Sequence, residues 1–105
     1  MRFLALFGVL AVLAAPALAQ TEPGDVRAGR GLAANWCANC HRIAPGGPGP
    51  ATDVAAPFAS IAAMPSTTSM SLRVFLQTPH AGMPDYHLTR DQLDDLVAYL
   101  LSLRR

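Results

Sequence analysis

The chain has 105 residues, of which 51% are hydrophobic, and this length holds one ordinary domain rather than two. Eight basic side chains, all of them arginine, stand against seven acidic ones for a formal net charge of +1. A near-neutral chain with no basic run lacks the electrostatic footprint of a nucleic-acid surface, so no nucleic-acid partner is expected.

The N-terminus opens with Met1-Arg2, followed by an apolar run from Phe3 to Ala15 broken only by Gly8. Pro16 and the small-x-small triplet Ala17-Leu18-Ala19 come next. This order predicts a secretory signal peptide over residues 1–19, cleaved after Ala19. The run is shorter than the ~20 apolar residues that span a bilayer. The mature chain, residues 20–105, has no transmembrane segment and is expected outside the cytoplasmic membrane, which in a bacterium is the periplasm. Cleavage removes Arg2, leaving seven arginines against Glu22, Asp25, Asp53, Asp85, Asp91, Asp94 and Asp95. The mature charge is therefore near zero.

Residues 20–24 read as a frayed start. Asp25 is a helix N-cap candidate, and a helix is expected from Val26 to Trp36. Gly29 and Gly31 weaken it as an isolated helix, and a glycine there usually has a packing reason.

The helix runs into Cys37-Ala38-Asn39-Cys40-His41, a C-x-x-C-H run that uses both cysteines of the chain. This is the attachment signature of a c-type haem. On a helical turn, residues three apart share a face, so Cys37 and Cys40 can both meet one porphyrin and form two thioether bonds. His41 then supplies an imidazole to the iron as proximal ligand. One haem c per chain is expected. A single disulfide between two cysteines this close would restrain little of the unfolded chain, whereas a large apolar plate gives a small domain something to wrap. The haem-free polypeptide is accordingly expected to be mostly unfolded.

Ala44 to Pro50 is a proline-glycine loop. Between Ala51 and Met64 the pattern is poor, with one turn of helix expected over Ala59 to Ala63. Pro65 to Ser69 is a second loop, and Thr68 or Ser69 caps a short helix from about Met70 to Gln77, with Leu72, Phe75 and Leu76 on its apolar face. Thr78 to His87 is a loop holding Pro79, Gly82 and Pro84. Thr89-Arg90-Asp91-Gln92 matches a capping box. Leu93, Leu96, Val97, Leu100 and Leu103 then mark the buried face of the last helix, with Arg104 and Arg105 favouring its C-terminal dipole. The chain reads as all-α with long irregular loops.

The second axial position of the iron falls to Met83, in the Gly82-Met83-Pro84 stretch between two helices. A thioether there is a soft ligand that favours ferrous iron. Met64 and Met70 read as core filler. His80 and His87 are competitors in the same loop, but read as solvated or propionate-facing side chains.

Taken in order, these parts resemble a class I cytochrome c over Asp25 to Arg105. The matching features are Gly29 eight residues before the first cysteine, Cys37 to His41, a proline-glycine loop, Met83-Pro84, and Tyr99 in the Leu/Val-rich last helix. The resemblance implies the cytochrome c fold, with the first and last helices crossing and Gly29 against Tyr99. It also implies that a loop proline, Pro50 or else Pro48, orients His41 through its carbonyl. Two departures stand out. Ala33 occupies a position where the family often has an aromatic, and Trp36 beside Cys37 is expected to pack or to line the haem edge. The lysine ring of mitochondrial relatives is absent, so docking through an apolar patch at the haem edge is expected instead of charge steering.

With both axial sites filled, the expected function is one-electron transfer between redox protein partners, as a monomer or small subunit, and not catalysis. An open-site haem protein, such as a peroxidase or gas sensor, is the alternative if Met83 is off the iron, and a cytochrome subunit of a larger redox enzyme is another. A thiol oxidoreductase would need a βαβ context that is not visible. A zinc site would need His80 or His87 to complete four ligands with Cys37, Cys40 and His41.

Overall fold

A computed structural model describes residues 21–47, 49–50, 55–79 and 82–104. The leader with its cleavage site, Gln20, Pro48, His80 and Arg105 lie outside the described residues. Among the described residues, every regular element is a helix: α1 (Val26–Trp36), α2 (Phe58–Ala63), α3 (Ser69–Leu76) and α4 (Arg90–Ser102).

Asp25 begins α1 as expected. Its backbone is extended, and its side chain accepts the Ala28 N–H at 2.8 Å, satisfying one of the donors a helix start leaves orphaned. The segment before it is not frayed. The Glu22 carboxylate accepts the Ser69 hydroxyl at 2.8 Å and lies 3.5 Å from Arg73, which also pairs with Asp94 at 2.5 Å. The Asp25 N–H in turn donates to the Asp95 carboxylate at 2.7 Å. These contacts strap the start of the domain across α3 and α4, which no local sequence pattern foretold.

Helix α3 starts at Ser69 with Thr68 as N-cap, so the cap rests on the first of the two expected residues. Thr68 accepts from the Ser71 N–H while Ser71 accepts from the Thr68 N–H, a reciprocal box built with serine at the third position. Helix α2 begins one residue before the expected turn, because Phe58 is drawn into the core.

The last helix is the hub. Thr89 and Gln92 form the expected capping box, at 3.2 Å and 2.9 Å. Replacing Thr89 with alanine removes this cap and should lower unfolding free energy by ~1 kcal/mol, measurable in urea titration of the haem-loaded protein. Helix α4 buries Leu93, Leu96, Val97, Ala98, Tyr99 and Leu100, a wider face than one heptad stripe, because α1, α2 and α3 all pack against it. Leu103 serves as the C-cap and is only partly buried. Arg104 does not serve the dipole. It donates through Nε to the Ala62 carbonyl at 3.1 Å and through Nη2 to the Thr67 carbonyl, tying the end of α4 to the α2–α3 connection.

The approach of α1 to α4 depends on Gly29. A methyl group there would overlap the Asp95 carbonyl and lie 2.8 Å from Tyr99 Cβ. The implied Gly29–Tyr99 contact is present. Ala33, where an aromatic was absent, is fully buried at the same interface. Trp36 does not replace that bulk: it is 37% exposed and stacks instead on Tyr86.

Candidate functional site

The C-x-x-C-H run continues α1 into a turn. The Cys37 N–H donates to Ala33, and the Cys40 and His41 N–H groups donate to the Cys37 carbonyl at 3.1 Å and 2.8 Å. This winding keeps both cysteines on the side of the following cavity.

Three successive residues are then pinned to the core. The His41 ring Nδ1 lies 2.6 Å from the Ala56 carbonyl. The Arg42 carbonyl accepts the Phe58 N–H at 2.9 Å, and the Ile43 carbonyl accepts the Tyr99 hydroxyl at 2.5 Å. Burial raises the Tyr99 phenol above its ordinary value, which keeps it protonated as a donor. The Phe58 ring sits 5.1 Å from the His41 ring and 6.4 Å from Tyr99, so imidazole, phenyl and phenol form one tilted column.

The Ala56 contact corrects an expectation. The carbonyl beside His41 belongs not to Pro50 but to Ala56, the residue before Pro57; Pro48 lies outside the described residues. A carbonyl can only accept, so Nδ1 carries the proton and Nε2 keeps its lone pair for a metal. The arrangement fixes both tautomer and ring orientation.

Two cavities meet at His41. The larger, of about 530 Å³, is lined by His41, Met64, Thr67, Leu72, Phe75 and Met83 among others. The smaller, of about 170 Å³, is lined by Trp36, Cys37, Cys40, His41, Met83 and Tyr86 among others. They share His41, Ala55, Gly82 and Met83 as walls. All four residues expected from sequence line the smaller cavity, and His41 and Met83 also line the larger, whose volume falls within the size range of cofactor sites.

The competitors separate by position. Met70 is 72% exposed and lines neither cavity, while Met64 lines the larger one alone. Met83 lines both. The His87 side chain is almost fully exposed, 4.0 Å from Asp85, and faces neither cavity.

The two cysteines are partly buried and are not joined to each other by a disulfide. Burial, with Cys40 beside it, pushes the Cys37 thiol up to about 11. Redox-active C-x-x-C pairs shift in the opposite direction, with a thiol lowered toward neutrality. Among the described residues no three His, Cys, Asp or Glu side chains gather as a metal cluster. What is gathered is a largely apolar lining with two cysteine sulfurs, an oriented imidazole and a thioether. That donor set fits a haem held by two thioether bonds.

Sequence reasoning missed the Ala56 carbonyl, Thr67 and Tyr86 as parts of this site. A backbone carbonyl carries no residue-type signal, and Tyr86 stands in a proline-containing loop without periodicity.

Comparison with known proteins agrees. The family described as cytochrome c oxidase, cbb3-type, subunit III matches residues 24–100. A cytochrome c-552 from Bradyrhizobium diazoefficiens is 40% identical over 98 residues, covering 92% of this chain and 93% of the relative. No solved structure gives a significant match. The pinned histidine, the paired thiols, the glycine-mediated helix contact and these similarities lead to one conclusion: the chain belongs to the cytochrome c family, as a small monohaem c-type cytochrome with the all-α fold, an electron carrier whose haem c is covalently bound.

Proposed function

We propose that this chain is a periplasmic one-electron carrier whose haem is joined through Cys37 and Cys40 and whose iron is ligated by His41 and Met83. The observation that carries this reading is the shared wall of the two cavities, where His41 and Met83 both stand. When bound, haem iron supplies a single-electron couple between its ferric and ferrous states.

The chain's own residues do the rest. Ala56 holds the His41 proton on Nδ1 and directs Nε2 to the metal. Leu72, Phe75 and Ile61 would give a bound haem an apolar surround, which would tune its potential. Met83 would hold the iron opposite His41 and so would deny substrate access to the metal. The leader over 1–19 delivers the chain to the compartment where such attachment occurs. The likeness to subunit III of cbb3-type cytochrome c oxidase supports a second reading, in which the chain works as the cytochrome subunit of an oxidase. Co-purification of this chain with oxidase subunits from detergent-extracted membranes would favour it.

The test is spectroscopic. The mature protein, with an N-terminus at Gln20, should show covalent haem and, when oxidised, the far-red band of a methionine–iron bond. Met83→Ala should abolish that band and let the ferrous protein bind carbon monoxide rapidly, while Met64→Ala and Met70→Ala keep the band. Persistence of the band in Met83→Ala would remove Met83 from the iron.

A further inference from the structure

Met83 stands in a long connection, from the C-cap of α3 at Gln77 to the N-cap of α4 at Thr89. A loop of this length has many conformations unless something holds it. The ends are held by their helices: the Thr78 hydroxyl donates to the Val74 carbonyl at 2.6 Å, and Thr89 is the cap of α4. The middle is held by Tyr86. Its ring lies parallel to Trp36, with centroids 5.5 Å apart and an interplanar angle of 3°. Its hydroxyl also donates to the Trp36 carbonyl at 3.0 Å, a contact spanning 50 residues of sequence.

The placement matters because of the neighbours at each end. Trp36 immediately precedes Cys37, and Tyr86 follows Met83 by three residues, with Pro84 restricting the backbone between. All of these residues line one small cavity between α1 and the loop. We propose that the Trp36–Tyr86 pair is a clamp that positions Met83, fastening the distal loop to the turn that carries the thiols. Tyr86 and Trp36 are positioning residues in this account: neither is a ligand, and they act by setting how often Met83 leaves the iron. The proposal rests on Met83 being the distal ligand.

The physics is a two-state equilibrium of the loop. An external ligand for ferrous iron binds only the open state, so its apparent affinity scales with the open fraction. The clamp offers two separable contributions, a stacked aromatic pair and a hydrogen bond. Tyr86→Phe keeps the stack and loses the hydrogen bond, and should raise apparent carbon monoxide affinity about threefold. Tyr86→Leu loses both and should raise it by roughly tenfold or more. Trp36→Leu removes the same stack from the other side but keeps the backbone carbonyl that accepts the Tyr86 hydroxyl, so its effect should fall between the parent and Tyr86→Leu.

The experiment uses haem-loaded protein and two probes of urea unfolding, the far-red band of the oxidised form and helical circular dichroism. If the pair is only a piece of general packing, both transitions move together. The clamp requires the far-red band to be lost at lower urea than the helices in Tyr86→Leu, with Tyr86→Phe between it and the parent. Coincident transitions with unchanged carbon monoxide affinity in Tyr86→Leu and Trp36→Leu would overturn the clamp. Met83→Ala keeps the two ideas apart. If it retains the far-red band, the ligand assignment fails. If it loses the band while the Tyr86 and Trp36 variants behave as the parent, the clamp alone fails.

Discussion

Gly29→Ala is expected to destabilise the haem-loaded protein by about 2–3 kcal/mol, the upper part of the range for an overpacked interior, whereas Gly31→Ala in the same helix should stabilise it by roughly 0.5–1 kcal/mol. The two glycines share a helix and the same intrinsic cost relative to alanine. They differ in what a methyl group would meet. At Gly31 nothing lies within 4 Å. At Gly29 the obstacle is the backbone carbonyl of Asp95, and Tyr99 Cβ stands 2.8 Å away. A flexible side chain could turn aside, but a carbonyl inside α4 can move only with its helix. The whole α1–α4 contact would have to open, and Ala33 at its centre would lose its burial. For a domain of this size the loss corresponds to a fall in Tm of roughly 10–20 °C. Thermal unfolding of the two single variants beside the parent checks this. Equal stability of both would mean that close helix approach does not limit the fold.

Haem-free protein is expected to lack fixed tertiary structure. Among the described residues the buried hydrophobic core rests on ten side chains, six of them from α4. On the far side of Leu72 lies the cavity of about 530 Å³, with Met64 and Phe75 on its rim. Were a void of that size fully enclosed, it would cost ~12 kcal/mol at the rate measured for core cavities. Small domains have about 5–15 kcal/mol of stability in all. Access of water lowers that cost but leaves the apolar walls wet, so the same surface goes unburied. The expected outcome is a haem-free chain with weak near-ultraviolet circular dichroism and no cooperative thermal transition. A native-like spectrum with a sharp transition would show that α1 and α4 fold without the cofactor. Since His41 is held by Ala56, Phe58 and Tyr99 through segments that close this cavity, its orientation should be lost along with the fold.

Much of the architecture was legible because it is written locally. The Asp25 and Thr89 caps each need only a side chain and a backbone N–H three residues on, and both formed as expected. The buried face of α4 followed from leucines at three- and four-residue intervals. Its extra width, reaching Ala98 and Tyr99, did not, because three helices cover it where a periodic stripe implies one neighbour. The start of α3 was visible within one residue, its serine-based capping box being weaker in pattern than the glutamine-based one at α4.

Of the proposed site, the candidates for side-chain chemistry came from spacing: Cys37, Cys40 and His41 fall within five residues, and Met83 lies in a Gly-Met-Pro stretch. Their convergence on one cavity did not, nor did the exposure that sets Met70 and His87 apart. The contacts that govern them come from far along the chain: Ala56 to His41 across 15 residues, Tyr86 to Trp36 across 50, Asp95 to Asp25 across 70. The sequence by itself determined the helices, their caps and the identity of the haem-binding chemistry, since each depends on residues within a turn or two of one another. Only the tertiary structure decided which carbonyl holds the imidazole, what anchors the Met83 loop and where Arg104 and Glu22 reach, because every residue offers a carbonyl and only the path of the chain selects among them.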